Sequence, residues 1–375
     1  MKRKKKNMRK NNRGIQHPLF GTSVINWIKL VTNNGGVDPS FLPRAMFVTI
    51  SALLTMPARF LFKIVYGPRI ADTKIKYPPV FIIGHWRSGT TFLHELLSHD
   101  PQFCYVSMWH TLLPNSFLVM EPTKKFMAQF LPTTRPMDNI EVAVDGPYEE
   151  EAGLAVLGQW SFFHCFHFPR YAKRQYSQSI HFEGLTDEDV VQWKKNYFDL
   201  MKAVTYSNHG KRLVLKNPSN TARITTLMEL FPDARFIHIY RNPYKVYLST
   251  KRMRAKVLDK LALQHTTDEQ IENHVIDNYI RLMKSYFKQK DQIPDGHLIE
   301  IRYEDLVADP MGQIREVYVR LGLPGLEVAK PKIQRYLNEK AGYKKNVYKI
   351  DDAIIRRVKK HWDFTIKRWG YEPPK

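Results

Sequence analysis

Cysteine is scarce in this chain of 375 residues: Cys104 and Cys165 are the two present. Two thiols give no disulfide framework and suit a reducing cytoplasm. Long apolar runs are scarce too. The stretch Ala45–Met56 falls short of the roughly 18 residues that cross a bilayer, and Pro57, Arg59 and Lys63 interrupt the apolar residues beyond it. No apolar stretch lies close behind the basic start, so a secretory signal fits poorly. Acid is absent from residues 1–13, which hold eight Lys/Arg. Such a run is a solvated arm or a binder of anionic lipid or nucleic acid. Internal repeats are missing, as is any composition break after residue 80, which favours one domain there. His164 and His167 are spaced i, i+3 near Cys165, but their aromatic surroundings speak for core packing and against zinc, and no metal site is expected.

What is present points to a folded α/β protein. Hydrophobic residues make up 43% and aromatics 13%, enough for a sizeable core, and the net charge is +22. Residues 1–40 read as a basic, flexible lead-in. Residues 41–75 read as a helical appendage, either lying in a membrane interface or packed on the catalytic domain. From residue 76 to 375, short apolar runs alternate with helical patterns, as in a parallel sheet with crossover helices. The runs are Val80–Ile83, Leu213–Leu215, Arg235–Tyr240 and His297–Arg302. Helices are predicted over 89–98, 219–231, 243–260, 268–288 and 305–321. The stretch 103–195, rich in aromatics and poor in strands, reads as a helical or irregular cap. All four runs end in charged or hydroxyl-bearing residues, and open sheets of this kind bind ligands beyond the carboxyl ends of their strands.

The first of those ends carries Gly84-His-Trp-Arg87-Ser88-Gly89-Thr90-Thr91. Glycines at both ends of a strand-to-helix turn let backbone N–H groups and the helix N-terminus face an anion. Ser88, Thr90 and Thr91 add hydroxyls, and Arg87 adds a permanent charge. Thr90 stands where a nucleotide triphosphatase needs the lysine that reaches β- and γ-phosphates. A cradle without that lysine suits a nucleotide without a γ-phosphate.

This loop resembles the 5′-phosphosulfate loop of the sulfotransferase superfamily, whose donor is 3′-phosphoadenosine 5′-phosphosulfate (PAPS). The Gly-His-Trp-Arg form is similar to a bacterial branch of that family. The resemblance implies a P-loop-like three-layer α/β fold and transfer of a sulfuryl group to a hydroxyl, ahead of an amine. It covers roughly residues 78–370. It places the 3′-phosphate on Arg241, at the end of a strand, and on Ser249, eight positions later on the next helix. That pairing also stands on its own chemistry, since charge-assisted bonds from both converge on one phosphate. Lys216, ending Leu213-Val-Leu-Lys216-Asn-Pro-Ser, resembles a family lysine and would neutralise developing charge. Arg302-Tyr-Glu-Asp-Leu306 is similar to a segment common in the superfamily and is read as structural. Asn346 and Tyr348 fall where the family carries a basic loop over the cofactor.

Sulfuryl transfer needs a base for the acceptor's proton. The acidic knot that includes Arg135-Pro-Met-Asp138-Asn139 and Asp145-Gly-Pro-Tyr-Glu149-Glu150-Glu151 is similar to a Pro-x-Glu-x-Glu stretch of the bacterial branch. Crowded carboxylates raise one another's pKa. Glu151 is the preferred base, with Glu149 beside it and His110 as challenger; acids at a helix N-terminus are the structural alternative. His85, inside the loop, either contacts the sulfonate or shapes the turn. Aromatics between 103 and 171 hint at an apolar acceptor such as a lipid alcohol or phenol. The rivals are a P-loop kinase or nucleotide triphosphatase, disfavoured by the missing lysine and the lack of an acidic Mg²⁺ partner, and a non-catalytic basic protein on a membrane surface or nucleic acid. Location is expected to be cytoplasmic, peripheral on the inner face of the membrane.

Overall fold

A computed structural model describes residues 17–131, 134, 141–340 and 350–374. Its centre is a parallel sheet of five strands: β1 (Val80–Ile83), β2 (Phe103–Cys104), β3 (Arg212–Lys216), β4 (Arg235–Tyr240) and β5 (Leu298–Arg302), in the order β2-β3-β1-β4-β5. β1 pairs with β3 through Val80↔Val214 and with β4 through Val80↔Arg235. All four β1 side chains are buried. A strand covered on both faces needs a continuous apolar run, which is why the sequence betrays it. Helices lie on both faces, so the expected α/β class holds. From β1 the chain runs to the edge strand β2, returns to β3 beside β1, then crosses to β4 on the other side of β1 and on to β5, and this reversal makes the carboxyl end of β1 a topological switch point.

The strands at 80–83 and 235–240 fall where expected, and the other two shift by a residue or so at their ends. The two-residue β2 was missed, being too short for any period to show. The helix expected over 305–321 divides into Tyr303–Ala308 and Pro310–Arg320. Pro310 lacks the N–H that would continue the first helix, and the Asp309 side chain caps the second by accepting from the Gly312 N–H at 2.9 Å. The segment at 219–231 begins as a 3₁₀ turn, Pro218–Ala222, before the helix Ile224–Leu230. Much of the cap is helical: Glu150–Leu157, Ala172–His181 and Asp187–Ser207.

The flexible lead-in expected over 1–40 does not hold for residues 17–40. The helix Val24–Asn33 is capped by Ser23, whose hydroxyl accepts from the Asn26 N–H. Leu19, Trp27 and Leu30 are buried against Val48, Phe168 and Leu263. The basic arm 1–13 lies outside the described residues. The appendage forms the helices Leu42–Leu54, Met56–Val65 and Gly67–Ala71. Near the other end, the helix Asp352–Arg368 lays Trp362 flat on Tyr279, ring centroids 3.7 Å apart. Tyr279 in turn meets His85 of the β1 loop at 4.9 Å. Several aromatics read as acceptor-lining are core instead: Trp109, Phe162, Phe166 and Phe168 are all buried.

Candidate active site

The loop after β1 needs both its glycines. Gly84 has φ 134° and Gly89 has φ 106°, in the region closed to most side chains. A Cβ on Gly84 would lie 2.2 Å from the Ile239 carbonyl oxygen, and one on Gly89 2.2 Å from the Tyr303 ring. Thr221 Oγ1 accepts from the Gly84 N–H at 2.7 Å, and the Ser88 N–H closes the turn on the His85 carbonyl at 3.1 Å. Arg87 is left-handed, φ 71°, a conformation costing a non-glycine residue roughly 1–2 kcal/mol. Its neighbours hold it there. Arg87 Nε donates to Ser249 Oγ at 2.9 Å, and the Arg87 carbonyl accepts from Arg241 Nη1 at 3.1 Å. Gly89 is the N-cap of the nine-residue helix Thr90–Ser98, so Thr90, buried, and Thr91, half-buried, open its first turn. The Ser88 hydroxyl is buried with no hydrogen-bond partner among the described residues.

On the β4 side, Asn242 caps the helix Pro243–Leu261 by accepting from the Tyr244 and Lys245 N–H groups. Two turns on, this helix brings Ser249 back to the loop. Arg241 lies 4.2 Å from the Tyr303 ring centroid, and its Nε has no acceptor among the described residues. The structure therefore brings Arg87, Arg241 and Ser249 into one contact, although 162 positions separate Arg87 from Ser249.

On the β3 side, Lys216 ends the strand opposite Ile82 and donates to Glu149 Oε1 at 2.5 Å. The three glutamates diverge, because Glu149 is the extended N-cap and Glu150 and Glu151 begin the helix. Glu149 keeps 17% of its side chain exposed, whereas Glu151 keeps 1% and is held by Arg223 at 2.7 Å. Asn217 Nδ2 and the Phe162 N–H also donate to Glu151. Burial opposes its charge, but Arg223 wins and holds its carboxyl below the usual carboxylate range. The preference for Glu151 as the exchangeable base thus meets a saturated, enclosed carboxylate. Glu149 is the carboxylate that faces outward beside Lys216.

Glu150 is fully buried and takes hydrogen bonds from Tyr197 and Asn220. Burial raises its pKa from 4.5 to about 7. The folded state then holds a proton that the unfolded state releases, so this group's contribution to stability falls as pH rises between those values. Glu150→Gln, which keeps both acceptor contacts, should remove that loss. Urea melts at pH 5 and pH 8 should show the variant gaining on the wild type as pH rises; parallel behaviour would mean Glu150 titrates normally.

The other expected residues separate from this centre. His110 Nδ1 accepts from the Ser107 N–H at 3.0 Å in a capping box, and burial lowers its pKa to about 4. His85 meets Tyr279 edge-on at 4.9 Å, with the Trp362 ring 6.4 Å away, and its Nδ1 lies on the Trp86 carbonyl at 2.8 Å, which is the turn-shaping alternative. His164 and His167 are buried with their Nδ1 atoms 3.2 Å apart. Among the described residues no group of three His, Cys, Asp or Glu is placed to hold a metal. Asn346, Tyr348 and Arg135–Asn139 lie outside the described residues. Sequence reasoning missed Thr221, Asn220 and Arg223, whose one signal was an unusual polarity directly behind strand β3, and read Tyr303, within Arg302–Leu306, as structural.

The model of the Sulfotransferase family matches residues 78–327. The chain is 33% identical over 357 residues to the omega-hydroxy-beta-dihydromenaquinone-9 sulfotransferase Stf3 of Mycobacterium tuberculosis, covering 95% of this chain and 92% of that protein. The fold is similar to the crystal structures of sulfotransferase STF9 from Mycobacterium avium (TM-score 0.70, 16% identity, 96% of this chain and 93% of that one) and of STF1 from M. tuberculosis (TM-score 0.67, 19% identity, 90% and 89%).

Proposed function

Because this chain belongs to the sulfotransferase family, we propose that PAPS is its sulfuryl donor and that the contact between Arg87, Ser249 and Arg241 is where the donor's two anionic ends are held. That contact carries the reading, since it joins two anion-binding segments into one site for a two-ended ligand. The residues fit such a donor. The buried Ser88 hydroxyl and Arg241 Nε have no partner among the described residues and can donate to an anion, and the cradle tolerates no Cβ at either glycine. Arg87, Ser88, Gly89, Thr90 and Thr91 are assigned to the 5′-phosphosulfate, and Arg241 and Ser249 to the 3′-phosphate.

The donor, when bound, supplies an activated sulfuryl group for in-line displacement by a hydroxyl. Lys216 and Arg87 are assigned to the negative charge that grows during transfer, a task at which fixed charges in a water-poor site are effective. Glu149 is assigned the acceptor's proton, because it alone of the three glutamates is open to a ligand. Glu151 and Arg223 are assigned the support of that helix end. The proposed acceptor is the hydroxyl of an amphiphilic lipid, as the menaquinone alcohol in the relative's name suggests. The location that goes with it is cytoplasmic, peripheral on the inner face of the membrane.

Transfer of radiolabelled sulfate from PAPS to an isoprenoid alcohol, with a sugar in parallel, tests the reaction and acceptor together. Label on the sugar alone would overturn the lipid assignment, and no transfer to any acceptor would overturn the donor. Arg241→Ala should weaken binding of adenosine 3′,5′-bisphosphate by roughly 10–150-fold, the worth of a charged hydrogen bond, with a smaller effect on kcat. Calorimetric titration reads this directly, and tighter binding of ATP–Mg²⁺ than of the bisphosphate would favour a kinase instead.

A further inference from the structure

The exposed apolar surface of this protein is concentrated in one place. Of the eighteen large hydrophobic side chains exposed among the described residues, twelve fall between Ile25 and Val65. They form stripes. On the helix Leu42–Leu54 the outward positions are Leu42, Met46, Ile50, Leu53 and Leu54, while Val48, Ser51 and Ala52 face inward. On the helix Met56–Val65, Phe60, Leu61, Ile64 and Val65 face outward while Phe62 is buried. Ile25 and Ile28 extend the face from the helix Val24–Asn33. Concentrated apolar surface of this kind marks an interaction site and not ordinary scatter.

The inner side is fixed to the domain. Arg44 Nη1 donates to the Ala262 carbonyl at 2.7 Å, Trp27 Nε1 donates to Thr49 Oγ1 at 2.9 Å, and the Phe62 ring lies 5.7 Å from Phe117. The helical stretch Pro39–Val65 is long and apolar enough to cross a bilayer, contrary to the sequence expectation. It is nevertheless divided at Thr55 and bonded to the domain on its inner side, with Arg44 Nη2 donating to the Asp259 carbonyl at 2.8 Å. Such an element lies along a surface and does not thread it.

We propose that this face seats in the outer few ångströms of an anionic phospholipid bilayer. The inference rests on the peripheral location proposed above and names the surface that produces it. Charge selects the occupant. Besides the inward-bonded Arg44 and Arg59, residues 17–76 carry five Lys/Arg against two Asp/Glu, and the sequence before them adds eight more basic residues over 1–13. An anionic bilayer complements that excess of positive charge, whereas a second copy would bring two basic segments together. The face is also linked to the candidate active site by a run of packed contacts. Phe62 packs on Phe117, Phe117 meets His110 edge-on at 4.6 Å, and Ser107 of the same turn bridges to Pro147, two residues before Glu149.

Flotation of the full chain with vesicles of phosphatidylcholine alone and of phosphatidylcholine with phosphatidylglycerol tests the assignment. The wild type should float with the anionic vesicles. The triple variant Leu54→Ser/Phe60→Ser/Ile64→Ser should partition at least about tenfold more weakly, while still binding adenosine 3′,5′-bisphosphate, since all three side chains point away from the core. If wild type and variant float equally, the surface is wrong and the peripheral location stands. If the wild type floats with neither vesicle, both fail. Conversion of a wild-type dimer to a monomer by the same substitutions, seen by light scattering, would assign the face to a second copy and overturn the proposal.

Discussion

Arg87→Ala is expected to lower turnover by roughly 10²–10³-fold, the usual loss when one preorganised charged donor is removed from a transferring group. The effect should fall on kcat and exceed any change in affinity for adenosine 3′,5′-bisphosphate. The reasoning starts from the backbone. Arg87 occupies a left-handed conformation at the turn's tightest point, and its side chain is steered by Ser249 while its carbonyl is held by Arg241. Its charge is therefore positioned before any ligand arrives, and no reorganisation is spent during the reaction. Arg87→Gly is the useful partner variant. Glycine relaxes the strained φ while deleting the charge, so equal losses in both variants would locate the effect in the guanidinium. Single-turnover transfer measures the step directly, and wild-type rates in either variant would remove Arg87 from the reaction.

Arg223→Ala should have the largest effect on stability, about 3–5 kcal/mol, as expected when one member of a buried ion pair is deleted. Glu151 would keep its negative charge in an enclosed site while losing donors at 2.7 and 3.2 Å. The Ser179 carbonyl would lose its partners, and the guanidinium's contact with the Trp193 ring, 4.7 Å to its centroid, would disappear. Denaturant melts should show a lower midpoint with little change in slope. Glu151→Gln should recover part of the loss in the double variant with Arg223→Ala, since a neutral amide no longer needs the cation. A destabilisation below about 1 kcal/mol would mean that water reaches the pair. Glu150 and Glu151 anchor the helix end that places Glu149 beside Lys216, so surviving Arg223→Ala protein should also turn over more slowly.

The loop and its flanking strand were legible because both are local. An apolar run buried on two faces, a turn whose glycines adopt forbidden angles and a helix that begins in hydroxyls leave their signature within fourteen residues, Pro78–Thr91. The resemblance, and the chemistry of an arginine at a strand end, pointed to Arg241 with Ser249; their contact with Arg87 of the loop was not legible. Nor was the division of labour among Glu149, Glu150 and Glu151. Three identical side chains in a row meet Lys216, Tyr197 and Arg223 respectively, and those partners lie 67, 47 and 72 positions away. Which partner each one reaches depends on where the extended chain turns into helix, and a one-residue shift would exchange the roles. The packed helix at Val24–Asn33 was hidden for a similar reason. A basic start and scattered polar residues obscured Leu19, Trp27 and Leu30, whose burial depends on Phe168 and Leu263, far along the chain.

The stacking of Trp362 on Tyr279, and the contact of Tyr279 with His85, ties the loop after β1 to the helix Asp352–Arg368. That loop is thus backed from outside the sheet, by rings remote from it in sequence. Pairing of the five strands and backing of the loop are separate requirements, met by different parts of the chain.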